Sequence, residues 1–293
     1  MRRHGFVAGF LLLPVALYLV FVISPYAQAF QIALTDWRGV SAGLNYVGLD
    51  NFRRLFGNDA FWQAIRNHAV LLVALPLATI ALALAFAYLL NAQGGVKGSG
   101  FYRVVFFLPQ VLAVAVVGVL FKAVYRPDSS GVLNGALMKV GLEPAGWLTD
   151  QRLALWSIIA VMVWQAVGFY VVLFSAGMAA IPKDVFEAAA LDGAGRLTLF
   201  FRITLPLIWD TVQVGWIYLG IAAFDAFALV NVLSIEQGGP DGATTVLATE
   251  IYKNAFGYSR FGYASAMGVA LFFLTLTFAA VTMRVTRRER IVY

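Results

Sequence analysis

Glu187-Ala-Ala-Ala-Leu-Asp-Gly193-Ala-Gly-Arg196, followed by Ile203-Thr-Leu-Pro206, is the stretch whose reading decides this fold. It is a polar, helix-forming island between two long apolar runs. Asp184 stands where it can cap a helix with Glu187 at the third position, a capping-box-like pattern. Ala188, Ala189, Ala190 and Leu191 are good helix formers. Asp192-Gly193 can end the helix, with Gly193 supplying the positive φ of a helix stop. A second short helix is expected from Arg196 to Thr204, and Pro206 then opens the next apolar run, where a first-turn proline is harmless. Taken alone, this is also the pattern of a well-capped helical connector, with Glu187 only a cap and Gly193 only a turn.

Working outward, the chain is built for lipid. Its 293 residues are 61% hydrophobic and only 12% charged, against about 25% charged in soluble domains. No charge lies between Arg3 and Asp36, Arg66 and Lys97, Arg103 and Lys122, Arg152 and Lys183, or Arg260 and Arg284. About 20 apolar residues cross a bilayer, so each gap holds one span. A sixth apolar run, Leu207 to Leu233, carries only Asp210 and Asp225. The expected spans are 6–28, 69–92, 104–124, 156–180, 207–233 and 263–283. Lipid admits only helices or closed barrels, and runs without strict alternation mean helices. The expectation is an all-α membrane protein of six transmembrane helices, one domain over residues 1–293. Pro14, Pro76 and Pro109 are expected to kink the spans that hold them.

Six spans put both termini on one side. Arg2 and Arg3 at one end and Arg284, Arg287, Arg288 and Arg290 at the other assign both to the cytoplasm. Eleven Lys/Arg then lie inside and ten outside, the outer ones spread over longer loops. The net charge of +6 reads as a basic rim against anionic lipid and not as a nucleic-acid surface. A cleaved leader ending near Ala27-Gln-Ala29 is a weaker reading, because the apolar stretch from Phe6 to Ile23 is longer than a signal core of about 7–15 residues.

The outer segments are expected to be an interfacial stretch from Thr35 to Arg66, with Asp50-Asn51 capping a helix, and two turn-rich loops, 125–154 and 234–262. The second of these contains Gly238-Gly-Pro-Asp-Gly242, where no helix can continue. Of the inner loops, Asn91 to Arg103 is short and glycine-rich. Only 181–206 is large enough to build something. There is no cysteine, and His4 and His68 are far apart, so no metal site or thiol chemistry is expected.

Glu-Ala-Ala, then Gly193, then Ile-x-Leu-Pro beginning ten residues later, resembles the EAA loop of permease subunits in binding-protein-dependent ABC importers. Trp37-Arg38, Val47-Gly-Leu-Asp-Asn-Phe52, Phe106-Phe-Leu-Pro109, Asn134 after Ser130-Gly131, Phe224-Asp225 leading to Gly238-Gly-Pro240, Tyr252 to Phe256, and Phe261-Gly-Tyr-Ala-Ser265 look like carbohydrate importers of the maltose and glycerol-phosphate type. The resemblance covers nearly the whole chain, without the extra N-terminal spans and large outer insertion of the maltose-type permease.

The resemblance implies an ATP-driven sugar importer in a bacterial or archaeal cell membrane. Its other parts would be a second homologous permease, two ATPase subunits that use ATP and Mg, and an extracellular solute-binding protein. This chain would bind no cofactor and catalyse nothing; it has no Gly-x-x-x-x-Gly-Lys-Ser/Thr loop. The 184–205 segment would couple to the ATPase through Asp184, Glu187, Ala188, Ala189, Asp192, Gly193, Ala194, Ile203, Leu205 and Pro206. Of the polar and aromatic residues at membrane depth, Asp225 is the first candidate for the substrate pathway, since intramembrane carboxylates are costly without a role. Gln165, Phe169, Tyr170 and Asn231 follow. A polyol-phosphate importer of the same family is the alternative, disfavoured because no Arg or Lys lies at membrane depth. A stand-alone secondary transporter would show paired internal repeats, and none is seen.

Overall fold

The computed structural model describes residues 2–40, 43–91, 97–236 and 238–285, with side chains at Val7 and from Gly9 onward. The side chains of Arg2, Arg3 and His4, and all of Arg287, Arg288 and Arg290, lie outside the described residues, as do positions 92–96 of the glycine-rich loop 91–103.

In chain order the helices are α1 (Arg2–Tyr18), continued through a π turn into α2 (Ser24–Ala33), α3 (Asp50–Phe56), α4 (Asp59–Asn91), α5 (Ser99–Val111), α6 (Val114–Val124), α7 (Val132–Lys139) and α8 (Ala154–Ala179). Then come α9 (Lys183–Leu191), α10 (Arg196–Thr198), α11 (Leu205–Leu207), α12 (Trp209–Phe224), α13 (Phe227–Leu233), α14 (Leu247–Tyr252) and α15 (Phe261–Val285). Among the described residues the only extended pairing is a single bridge between Thr35 and Tyr46. The all-helical expectation holds. Four helical stretches are long and apolar enough to cross a membrane by themselves: Gly9–Ala33, Asp59–Asn91, Ala154–Ala179 and Phe261–Val285.

The other two expected spans are not straight helices. α5 and α6 meet at 97° across Leu112 and Ala113, both in extended conformation. Pro109 lies in the last turn of α5, where its missing N–H weakens the ladder. The carbonyl of Leu112 is taken up instead by the Gln165 side-chain amide of α8, at 3.3 Å. The run 207–233 is interrupted twice. A 72° bend separates Arg196–Leu207 from Trp209–Phe224, and Asp225-Ala226 separate α12 from α13. By contrast α4 runs 33 residues through Pro76 as one helix, so that proline does not end its helix.

The described chain forms two compact units. The first comprises Met1–Trp62 and Leu247–Leu274, the second Gln63–Val246 and Thr275–Tyr293. In the first, the expected Asp50-Asn51 cap does not form: α3 begins at Asp50 without a side-chain cap. Asn51 instead is buried and donates from Nδ2 to the carbonyls of Ala33 and Thr35, both at 2.8 Å. That exchange satisfies two carbonyls at the end of α2, a stronger use of a buried amide than an exposed cap.

The second unit is centred on α8, whose Ile158, Val161, Val171 and Phe174 are fully buried. Close packing of α5 on α8 depends on Gly168. A Cβ there would lie 1.7 Å from the Phe106 carbonyl oxygen, and small residues at such crossings let helix backbones approach. Two helices stand in segments read as loops, α7 and α14. α7 is anchored by Asn134, which is fully buried. Its Nδ2 donates to the carbonyls of Arg126 (2.9 Å) and Ala145 (3.0 Å), and its Oδ1 accepts from the Ala145 N–H (2.9 Å) and Trp147 Nε1 (3.0 Å).

Candidate functional site

The polar island at 181–206 forms a helical hairpin with one face exposed. Ile181 is buried, and Pro182, with ψ 140°, turns the chain out of α8 into α9. The capping-box expectation for Asp184 is not met. Pro182 occupies the N-cap position, no side-chain cap bond forms, and Asp184 sits in the first turn, where its charge complements the helix dipole. Glu187 and Ala188 are exposed while Ala189 is buried. Of the two alanines expected at an interface, only Ala188 faces outward; helical periodicity turns its neighbour onto the protein's own core.

Gly193 behaves as expected. Its φ is +74°, its N–H bonds the Ala190 carbonyl and the Ala194 N–H bonds the Ala189 carbonyl, at 3.1 and 3.0 Å. This is a Schellman stop. Asp192, as the C-cap residue, and Gly193 lie exposed at the turn, with Ala194 half-buried. The second arm departs from a simple helix: Arg196–Thr198 is α-helical and Leu199–Thr204 is a π-helical turn. Thr204 is buried and its Oγ1 donates to the Leu199 carbonyl at 3.1 Å. Ile203, Leu205 and Pro206 are half-buried. Pro206 lies in the short α11, ahead of the bend at Ile208, and so does not open the long helix α12.

The hairpin packs on the core of its own unit through Val185, Phe186 and Phe200, and polar and aromatic contacts fix its second arm. Tyr88 of α4 donates its hydroxyl to the Arg196 carbonyl at 2.8 Å, and its ring lies 4.8 Å from that of Phe200. Nearby, Arg103 donates to Asn91 Oδ1 at 2.8 Å, and Asn91 Nδ2 donates to Ser175 Oγ at 3.0 Å and to the Ala87 carbonyl at 2.7 Å. A cavity of about 910 Å³ opens between these groups and the hairpin, lined among others by Asn91, Arg103, Lys183, Glu187 and Arg196.

The sequence reading missed two side chains at this site. Leu191 is 90% and Leu197 74% exposed, one on each arm beside the glycine turn. Apolar residues so placed have no packing duty of their own. Their signal in the sequence was a leucine on either side of the segment 192–196 that holds the turn.

The candidate pathway residues are scattered within the second unit. Asp225 is exposed at the end of α12 and Asn231 exposed on α13. Phe169 is 41% exposed, while Tyr170 is buried and packs on Phe174 with ring centroids 6.1 Å apart. Gln165 is committed to the Leu112 carbonyl. None of them lines the 910 Å³ cavity beside the hairpin.

The chain matches the family model for the "Binding-protein-dependent transport system inner membrane component" over residues 80–291. It is 42% identical to the diacetylchitobiose uptake system permease protein NgcF of Streptomyces coelicolor, over 97% of this chain and 83% of that one. Against the multiple sugar-binding transport system permease protein MsmF of Streptococcus mutans the identity is 32%, over 90% of this chain and 89% of that one. Its fold superposes on a chain of a crystallised bacterial alginate ABC transporter, in complex with an alginate pentasaccharide-bound periplasmic protein, with a TM-score of 0.82. The identity there is 25%, covering 99% of this chain and 96% of that chain. A multi-pass helical chain with an outstanding polar hairpin, matched to one family along most of its length, is a member of that family: it belongs to the binding-protein-dependent transport system inner membrane components.

Proposed function

We propose that this chain is the permease subunit of an ATP-driven carbohydrate importer. It would contribute half of the translocation pathway and couple to a separate ATPase through the 184–205 hairpin. The observation that carries the coupling role is the exposed outer face of α9, with Glu187, Ala188 and Leu191 presented to solvent between two anchored ends. A short helix held at both ends moves as a body when its socket moves, and so can transmit a rigid-body change to the helices it joins. Relatives named for the uptake of diacetylchitobiose and of multiple sugars support carbohydrate as the substrate class over a polyol phosphate.

In this reading the two bent pairs complete six spans, both compact units belong to one transmembrane domain over residues 1–293, and both termini are cytoplasmic. The hairpin then lies inside and the segments 35–66, 125–154 and 234–262 outside. The partners are a second homologous permease, two ATPase subunits that use ATP and Mg, an extracellular solute-binding protein and the surrounding lipid. The chain itself holds no cofactor and no metal. Asp225, Gln165, Phe169, Tyr170 and Asn231 are candidates for the pathway, with exposed Asp225 and Asn231 the ones free to meet a polar solute. The cell membrane of a bacterium or archaeon is the expected location.

Affinity purification of the tagged chain from mild detergent tests this directly. Recovery of an ATPase and a second permease, in an assembly whose ATP hydrolysis responds to a sugar-loaded binding protein, is expected. Recovery of the chain alone, transporting without ATP, would refute it.

A further inference from the structure

The first compact unit holds a second cavity, of about 450 Å³, lined among others by Asp36, Trp37, Arg38, Arg54, Arg260 and Tyr263. These residues come from three separate segments: the stretch after α2, helix α3, and the turn that starts α15. Contacts tie the three segments together. Asn51 ties α3 to the end of α2, and the Gly262 N–H bonds the Trp37 carbonyl at 3.0 Å. A Cβ at Gly262 would lie 1.9 Å from the Thr35 carbonyl oxygen, so the two segments are in backbone contact. The Trp37 and Phe261 rings lie 5.5 Å apart, and Asn58 Nδ2 donates to the Tyr263 hydroxyl at 2.9 Å.

The charges are not balanced. Arg54 is answered by Asp50 at 2.6 Å. Arg260 has its guanidinium carbon 5.3 Å from the centre of the Tyr258 ring, and follows Ser259 at φ +52°, a left-handed conformation that a serine keeps only where its surroundings impose it. Among the described residues neither Arg38 nor Arg260 pairs with a carboxylate. With Asp36 also on the wall, the groups left over carry one net positive charge. A single incoming carboxylate neutralises it, and arginine forks suit a carboxylate in geometry.

We propose that this cavity receives an acidic side chain of the solute-binding protein, held by Arg38 and Arg260. The inference rests on the function proposed above, which places residues 35–66 and 234–262 outside the membrane. A periplasmic protein is the partner in the crystallised alginate transporter whose fold this chain shares. The mixed lining, a carboxylate and two aromatic residues beside the arginines, fits a protein surface better than a lipid phosphate.

The test uses the whole importer purified through the tagged wild-type chain and placed in nanodiscs of phosphatidylcholine, with the binding protein that co-purifies with it. Arg38→Glu with Arg260→Glu should raise the concentration of binding protein needed for half-maximal ATPase stimulation by about tenfold or more, leaving subunit assembly and unstimulated hydrolysis as in wild type. Arg260→Lys, which keeps the charge and loses the fork, should lie between wild type and the double variant, and wild-type affinity should fall as salt rises. Unchanged stimulation in the double variant overturns the inference while leaving the importer reading intact. So does a defect that appears only when phosphatidylglycerol is present, which would make the cavity a lipid site, or one confined to acidic sugars. A wild-type assembly indifferent to every binding protein overturns both readings.

Discussion

The Tyr88 hydroxyl donates a 2.8 Å hydrogen bond to the carbonyl of Arg196, 108 residues further along the chain. It joins the C-terminal end of the 33-residue helix α4 to the first residue of the hairpin's second arm. An exposed neutral hydrogen bond of this kind contributes about 1 kcal/mol. Tyr88→Phe keeps the ring against Phe200 and removes only the bond. Hydrogen exchange at the amides of 196–200 should speed up about fivefold while that of α8 stays as it was. An unchanged rate would mean the ring contact alone holds the arm.

Gly193 has open space where a Cβ would go, yet its φ is +74°. A substitution there meets no neighbour, only backbone strain of about 1–2 kcal/mol. Gly193→Val should therefore leave membrane insertion and subunit assembly normal, reorient α9, and lower uptake per ATP hydrolysed at least severalfold. Normal coupling in that variant would remove the hairpin from the coupling path.

At Gly168 the opposite applies, because the obstacle is backbone and cannot rotate away. Gly168→Ala would bring a methyl 1.7 Å from the Phe106 carbonyl oxygen, forcing α5 and α8 apart at a cost of about 1–3 kcal/mol. The melting temperature of the purified assembly in detergent should drop by several degrees. A melting curve equal to wild type would show that the two helices yield freely.

Asn134 makes four hydrogen bonds from one fully buried side chain. Asn134→Ala strands the Trp147 indole N–H and the Ala145 N–H together with two carbonyls, and each stranded group costs about 1–3 kcal/mol where water cannot reach it. Limited proteolysis should cut the 125–154 segment faster in the variant. Asn134→Asp, which keeps the acceptor and loses the donors, should lie between. Equal cutting in all three would mean solvent already serves these groups.

Much of the hairpin was legible because its determinants are local. Alanines carry their helix propensity with them, and Gly193 stops a helix through its own backbone freedom. Asp184 and Asn51 misled for a shared reason: a capping residue is a short polar side chain looking for a partner, and sequence alone does not say which partner is nearest. Asn51 found two carbonyls of a segment 16 and 18 residues back, and Asp184 was displaced from the cap by Pro182. Leu191 and Leu197 were passed over because exposure is a property of the surroundings and not of the residue.

What the sequence by itself determined is the number and placement of the apolar runs, the helical class and the polar island between two of them. Each follows from composition over roughly twenty residues, the length that a bilayer demands. What only the tertiary structure decided is where those runs break and which way their polar groups turn. The run through Pro76 stays whole, while the run through Pro109 bends by 97°. Before the bend, Gly168 lets α8 reach the Phe106 backbone, and at the bend Gln165 supplies the hydrogen bond that Leu112 needs. A break in so apolar a helix survives only if another element satisfies its freed backbone, and that element lies 53 residues away in the chain.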